Sequence, residues 1–291
     1  INILINTALT RPTVLTSTDK LSLSNEKKWN WSPLPDIPNH QGACTALCYS
    51  TSADAIFLVG GSDYDLNQFH TISDRTGTKI RVGAMMWKFD IQTQEWTAML
   101  ELPGTARLLH SISCVKDEII VIGGATGGQS IVGETSFHTV VDNWSYNIPT
   151  ETWKRLQDTP YVIGNFGNSV VYQERYIFLV GGAGYGKIER GGFVNATFWN
   201  NDIDKPPHFK HPSSSVNYRK QYSNSMLVYD ITLDNFFFTD PLPINNNLPL
   251  VYLRGDYIYT LGGETGTGCV FGKMYGQHTE LVLRGRIKIN R

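Results

Sequence analysis

One short apolar phrase is written four times along this chain, and that repetition sharply limits what it can fold into. IFLVGG at residues 56–61 returns letter for letter at 177–182, with IIVIGG at 119–124 and IYTLGG at 258–263 as close variants. Four branched or large apolar residues closed by Gly-Gly read as a strand buried on both faces. The glycines suit a sharp exit, because without Cβ they accept positive φ and let neighbouring backbone approach. Self-similarity at a long period is the mark of a repeat architecture, so these are four copies of one unit.

A second spacing accompanies the first. Phe89 and Trp96, Tyr146 and Trp153, and Tyr229 and Phe236 each stand seven residues apart, and Pro103, Pro160 and Pro243 follow seven residues later. Upstream, polar turns such as Lys116-Asp117 and Arg254-Gly255 separate each Gly-Gly strand from a preceding strand. Each unit therefore reads as four antiparallel strands, a to d.

This combination resembles the kelch motif, the four-stranded blade of a β-propeller, from about Trp31 onward. The resemblance implies an all-β kelch-type β-propeller with four recognisable four-stranded blades, five or six being open. Stacking blades radially buries both sheet faces and leaves short edges. The glycine pairs stand further apart than a blade of about 45 residues requires, so loops are inserted between them. Residues 1–28 hold no glycine pair, yet Trp31 with Pro38 seven positions on repeats the d-strand pattern, and the fourth unit lacks a d strand. Residues 28–34 are expected to supply it, closing the ring with an N-terminal strand and making residues 1–291 a single domain.

Charge and cysteine usage narrow the partners. With 25 Lys and Arg against 26 Asp and Glu, mixed along the chain, no basic block offers a nucleic-acid or membrane surface. No apolar run approaches the roughly 20 residues of a membrane span. Cys44, Cys48, Cys114 and Cys269 form no CxxC pair and read as buried free thiols. The chain starts at Ile1, consistent with a removed signal peptide or a trimmed chain, and Asn30, Asn143 and Asn195 fit the glycosylation pattern. The compartment is left open between periplasmic or secreted and cytoplasmic.

In a blade that meanders, the b-to-c and d-to-a connections emerge on one face, where function is expected. The longest, at about residues 183–225, mixes Tyr185, Phe193, Phe198 and Trp199 with Arg190, Asn200 and Asp202. Aromatic faces beside amide, carboxylate and guanidinium groups suit a polyhydroxylated ligand. They suit a protein interface equally well, or a self-packed cap. Asp63, Tyr185 and Glu264 follow their glycine pairs closely. Arg107 and His110 precede the second innermost strand in an RxxH arrangement that itself resembles a recurring kelch pattern, and counting back from the next glycine pair places Asn165 and Asn168 equivalently. Their alternative role is hydrogen bonding between blades.

Other chemistries leave no mark. His208 and His211 lack further ligands nearby, and no nucleophile elbow, phosphate-binding loop or dinucleotide fingerprint is present, so no metal or cofactor is expected. IYTLGGETGTG at residues 258–268, with the glycine- and aromatic-rich insertion, resembles the kelch-type sialic acid mutarotases (N-acetylneuraminate epimerases) of bacteria. Only Glu264 carries across by position. That resemblance implies an isomerase in which Glu264 and His110 act as the base and acid of anomer exchange, with Arg107 or Arg190 clamping the sugar carboxylate. Asn165, Asn168, Tyr185, Trp199 and Asp63 would complete the sugar site. The competing reading is a non-catalytic kelch module that binds a protein or glycan on the loop face.

Overall fold

A computed structural model describes residues 32–38, 44–62, 82–131, 134–160, 169–184, 221–264, 268–270, 273–275 and 279–289. The chain divides into two compact units, Ile1–Leu34 and Pro35–Arg291, and the strands among the described residues lie in the second.

The first blade is β1 (Ala46–Ser50), β2 (Ala55–Val59), β3 (Met86–Asp90) and β4 (Trp96–Ala98), paired in that order and antiparallel throughout. The second starts with β5 (Ser111–Val115) and β6 (Glu118–Ile122). A hairpin of β7 (Ala125–Ile131) and β8 (Glu134–Thr139) then extends the b-to-c connection, and β9 (Asn143–Asn147) and β10 (Thr152–Leu156) complete the blade. The third is β11 (Ser169–Tyr172) and β12 (Tyr176–Val180), the short pair β13 (Ala183–Gly184) and β14 (Gln221–Tyr222), then β15 (Met226–Asp230) and β16 (Asn235–Phe238). The fourth holds β17 (Leu250–Arg254), β18 (Tyr257–Leu261), the pair β19 (Gly268–Val270) and β20 (Lys273–Tyr275), and β21 (Val282–Arg286). The described residues of the second unit form an all-β, four-bladed β-propeller.

The fourth sheet has three strands among the described residues, not four. Of the segment expected to complete it, residues 28–31 lie outside the described residues, and Ser32, Pro33 and Leu34 carry no strand.

The seven-residue aromatic spacing has a simple cause. Phe89 pairs with Trp96, Tyr146 with Trp153 and Tyr229 with Phe236 directly across the c–d hairpin, their ring centroids 4.9, 5.0 and 4.9 Å apart. Cross-strand aromatic pairs stabilise a hairpin beyond their buried area. Two of the outer indoles also bind a neighbouring backbone: Trp153 donates to Leu100 O and Trp96 to Pro35 O, each at 3.0 Å. Leu100 stands four residues after Trp96, and Pro35 four after Trp31, so the bond follows the repeat.

Packing between blades runs through the innermost strands and obeys strand alternation. Ala46 and Cys48 of β1 pack toward Ile112 of β5. Val115 of β5 meets Ile177, Leu179 and Val171 of the third blade, while Ser111 and Ser113 hydrogen-bond Ser169 at 2.6 and 3.0 Å. Val170 and Tyr172 of β11 then pack with Val251 and Ile258 of the fourth. At the first junction Cys48 and Cys114 form a disulfide, with Cα atoms 5.6 Å apart. This corrects the expectation of free thiols for these two. They lie on opposite-facing positions of adjacent innermost strands, which brings their Cβ vectors together. Cys44 is free but exposed, which corrects its expected burial, and Cys269 lies outside the residues whose side chains are described.

Candidate functional site

All eight glycines of the repeated phrase have positive φ, from +62° to +108°. Their second purpose is contact. A Cβ on Gly60 would stand 2.3 Å from Arg107 O, and one on Gly181 would stand 2.0 Å from Asn246 O. The backbone of the loop entering the next blade lies against the glycine exit of the one before. Gly61 N donates to Arg107 O and Gly182 N to Asn246 O, both at 2.9 Å. The glycine pair is therefore a blade-to-blade seam on the loop face.

Arg107 is built into this seam. Its side chain is fully buried. Nε donates to Thr105 O at 2.9 Å, Nη1 to Gly123 O at 3.1 Å and Asp142 O at 2.6 Å, and Nη2 to Asp142 Oδ2 at 2.6 Å. Asp142 also accepts from Trp144 Nε1 at 2.7 Å and from Thr105 N at 3.3 Å. Burial pushes the Asp142 carboxyl up, but the Arg107 charge and these donors outweigh it and hold it below the usual carboxylate range. With four of its five N–H groups engaged by the protein, Arg107 acts as a brace between blades.

His110 lies beside it, buried, and neither ring nitrogen has a hydrogen-bond partner. A Cβ on Gly124 would come within 2.8 Å of its Cβ. Burial, reinforced by the Arg107 charge, lowers its pKa to about 3. The imidazole is therefore neutral at pH 7 and carries one ring N–H, buried within the seam.

Glu264 sits where the sequence placed it, directly after the fourth glycine pair, half-buried. It forms an isolated antiparallel bridge with Asn247, N to O at 2.8 Å in both directions, and its Oε2 accepts from Asn247 Nδ2 at 2.9 Å. Next to this pair, Asn246 donates through Nδ2 to Gly262 O at 2.8 Å, while its Oδ1 is buried without a partner against Gly263. Asn246 is the repeat equivalent of Arg107, since both bind the carbonyl of the first glycine in their own blade. Asp142, Asn246 and Asn247 were not singled out in the sequence. The offset of 16 residues before Gly123 and Gly262 that links Arg107 to Asn246 would have found the latter.

Asp63, Asn165, Asn168, Tyr185, Arg190 and Trp199 lie outside the described residues. Among the described residues no group of three or more His, Cys, Asp and Glu is placed to hold a metal ion, and no helix is long and apolar enough to cross a membrane.

No protein-family model matches the chain. It is 25% identical to Beta-scruin of Limulus polyphemus over 158 residues, which is 54% of this chain and 15% of that protein. It is 24% identical to Kelch-like protein terF of Aspergillus terreus over 169 residues, 58% of this chain and 33% of that protein. The chain thus matches a third or less of the length of these relatives. The solved structure of YjhT superposes with a TM-score of 0.52 at 18% identity, covering 79% of this chain and 59% of that one. At that identity the likeness concerns fold alone. Repeated glycine seams, a–d sheet order and paired c–d aromatics make the described residues a four-bladed β-propeller, similar in sequence to kelch-like proteins over part of its length.

Proposed function

We propose that this propeller is directed at carbohydrate through its loop face, as a mutarotase of sialic acid or a similar acidic sugar. The reading rests on one observation: Glu264, in the GGETGTG loop that resembles the sialic acid mutarotases, is held at the glycine exit by Asn247 through backbone and side chain together. A carboxylate positioned in this way can accept the anomeric hydroxyl proton. The ring oxygen takes a proton as the ring C–O bond breaks, the open form rotates, and reclosure on the other face returns both protons. The acid and the carboxylate clamp would come from the insertion at about 183–225, where Tyr185, Arg190 and Trp199 are the candidates. Asp63, Asn165 and Asn168 would supply further hydrogen bonds.

The test is proton NMR exchange on N-acetylneuraminate with and without protein. Accelerated anomer exchange, lost in Glu264→Gln, is the expected result. Unchanged exchange with the wild-type protein would overturn the reading.

A second reading has its own support. Arg107 and His110 are both buried in the seam, and Glu264 is the half-buried carboxylate of the expected set, bound by Asn247. A single carboxylate suits a binding site as well as an acid–base pair. The chain would then be a non-catalytic kelch module for a glycan or protein, and line broadening of the sugar without faster exchange would mark it.

A further inference from the structure

The blade junctions follow a strict alternation. On each innermost strand, one set of side chains faces the blade before and the other faces the blade after. Ile112 and Cys114 of β5 face back to the first blade, and Ser111, Ser113 and Val115 face forward to the third. Ser169 and Val171 of β11 face back, and Val170 and Tyr172 forward. Register carries the pattern to the two end blades, because Ala46, Ser111 and Leu250 each pair with the residue before a glycine pair. Ala46 and Cys48 then face forward from β1, and Val251 faces back from β17, as their packing shows.

The same rule assigns Leu47 and Tyr49 to the backward face of β1, and Leu250, Tyr252 and Arg254 to the forward face of β17. In a junction between these blades they would bury one another. They are instead 60%, 48%, 63% and 39% exposed for Leu47, Tyr49, Leu250 and Tyr252. Arg254 is exposed as well. Side chains at the matching positions of β5 are nearly all buried. Among the described residues both end blades thus present an exposed apolar face of the kind that three internal junctions bury.

We propose that these faces are an interface with a second copy of this chain, the forward side of β17 in one copy docking on the backward side of β1 in the other. Each copy carries both halves, and the halves match. The pattern Leu, aromatic, charge runs along each in the same direction: Leu250, Tyr252 and Arg254 on β17, and Leu47, Tyr49 and then Asp54, which accepts from Tyr49 Oη at 2.7 Å, on the first blade. Arg254 and Asp54 stand at the a–b turn end of their blades, where their charges are complementary. The contact is head-to-tail, so it closes into a ring or propagates, according to the rotation it imposes.

The experiment is light scattering coupled to gel filtration, on the wild-type chain and on Leu47→Asp and Leu250→Asp. Both leucines are exposed, so neither change disturbs a core, and circular dichroism checks the fold. The wild type should run at a multiple of the chain mass that rises with concentration, and each variant alone at the mass of one chain. A mixture of the two should recover a dimer, because each variant retains the half that the other has lost. A wild-type chain that stays monomeric at all concentrations would overturn the proposal and leave these faces to blades from another source. So would an oligomer that both substitutions leave intact, or a mixture that fails to pair.

Discussion

Arg107 and Asp142 form an ion pair, Nη2 to Oδ2 at 2.6 Å, that ties the loop arriving from the first blade to the residue just before the c strand of the second. The guanidinium is fully buried and the carboxylate 14% exposed, so removing one partner leaves a desolvated charge. Arg107→Ala is expected to cost about 3–5 kcal/mol, read from urea unfolding. The pair also carries an acid dependence. Because the folded carboxyl is held below its ordinary value, its stabilisation is present above about pH 4 and is lost as pH falls through the folded value. Asp142→Asn should remove that acid step. A variant with wild-type stability would mean that the brace is ornamental.

His110 predicts a different window. The unfolded imidazole takes up a proton near pH 6.5, whereas the folded one stays neutral down to about 3. As pH falls between these values the unfolded state binds the extra proton, so stability drops at up to about 1.4 kcal/mol per pH unit. His110→Leu should flatten this limb of the stability profile while leaving the more acidic Asp142 step in place. If wild type and variant show parallel profiles from pH 6.5 to 4, the buried neutral histidine is wrong.

What the sequence disclosed, and what it hid, both follow from spacing. The Gly-Gly strands and the aromatic pairs were legible because each is a fixed offset within a hairpin: Phe89 and Trp96 are seven apart since they face each other across it. Turn length broke the counting elsewhere. The a–b turn of the third blade, Gln173 to Arg175, is one residue longer than Lys116-Asp117, so Ser169 pairs with Leu179 where Ser111 pairs with Ile122. Asn165 and Asn168, set level with Arg107 and His110 by counting back from the glycine pair, lie outside the described residues. Roles were harder to read than places. Arg107 and His110 do lie at the loop-face seam, but their neighbours Asp142 and Gly124 come from the entry to a later strand and from a later turn that no local motif announces.

The Cys48–Cys114 bond was hidden for the same reason, because the pairing depends on which way two alternating strands face. It joins residues 66 apart across the first junction. A cross-link of that span stabilises by about 2–4 kcal/mol through the loop it closes in the unfolded chain. Reduction, or Cys48→Ser with Cys114→Ser, should lower the urea midpoint accordingly. Alkylation of the unfolded, unreduced protein followed by mass spectrometry checks the bond itself: Cys48 and Cys114 should stay unmodified, and modification of both would sink it.

The seam can be tested against its own fold with two glycines of the same backbone region. Gly181 has φ +68° and Gly255 φ +55°, so alanine at either pays a left-handed backbone penalty of about 1–2 kcal/mol. Their surroundings differ. A Cβ at Gly255 meets nothing within 4 Å, whereas one at Gly181 would lie 2.0 Å from Asn246 O, a backbone atom of the loop entering the fourth blade. That loop cannot retreat without loosening the hydrogen bonds from Gly182 N to Asn246 O and from Asn246 N to Ser223 O. Gly255→Ala should therefore stay within the backbone penalty, while Gly181→Ala should lose about 3–5 kcal/mol in chemical denaturation. Equal losses at the two sites would mean that the glycine pair serves the turn alone and that the contact between blades contributes nothing.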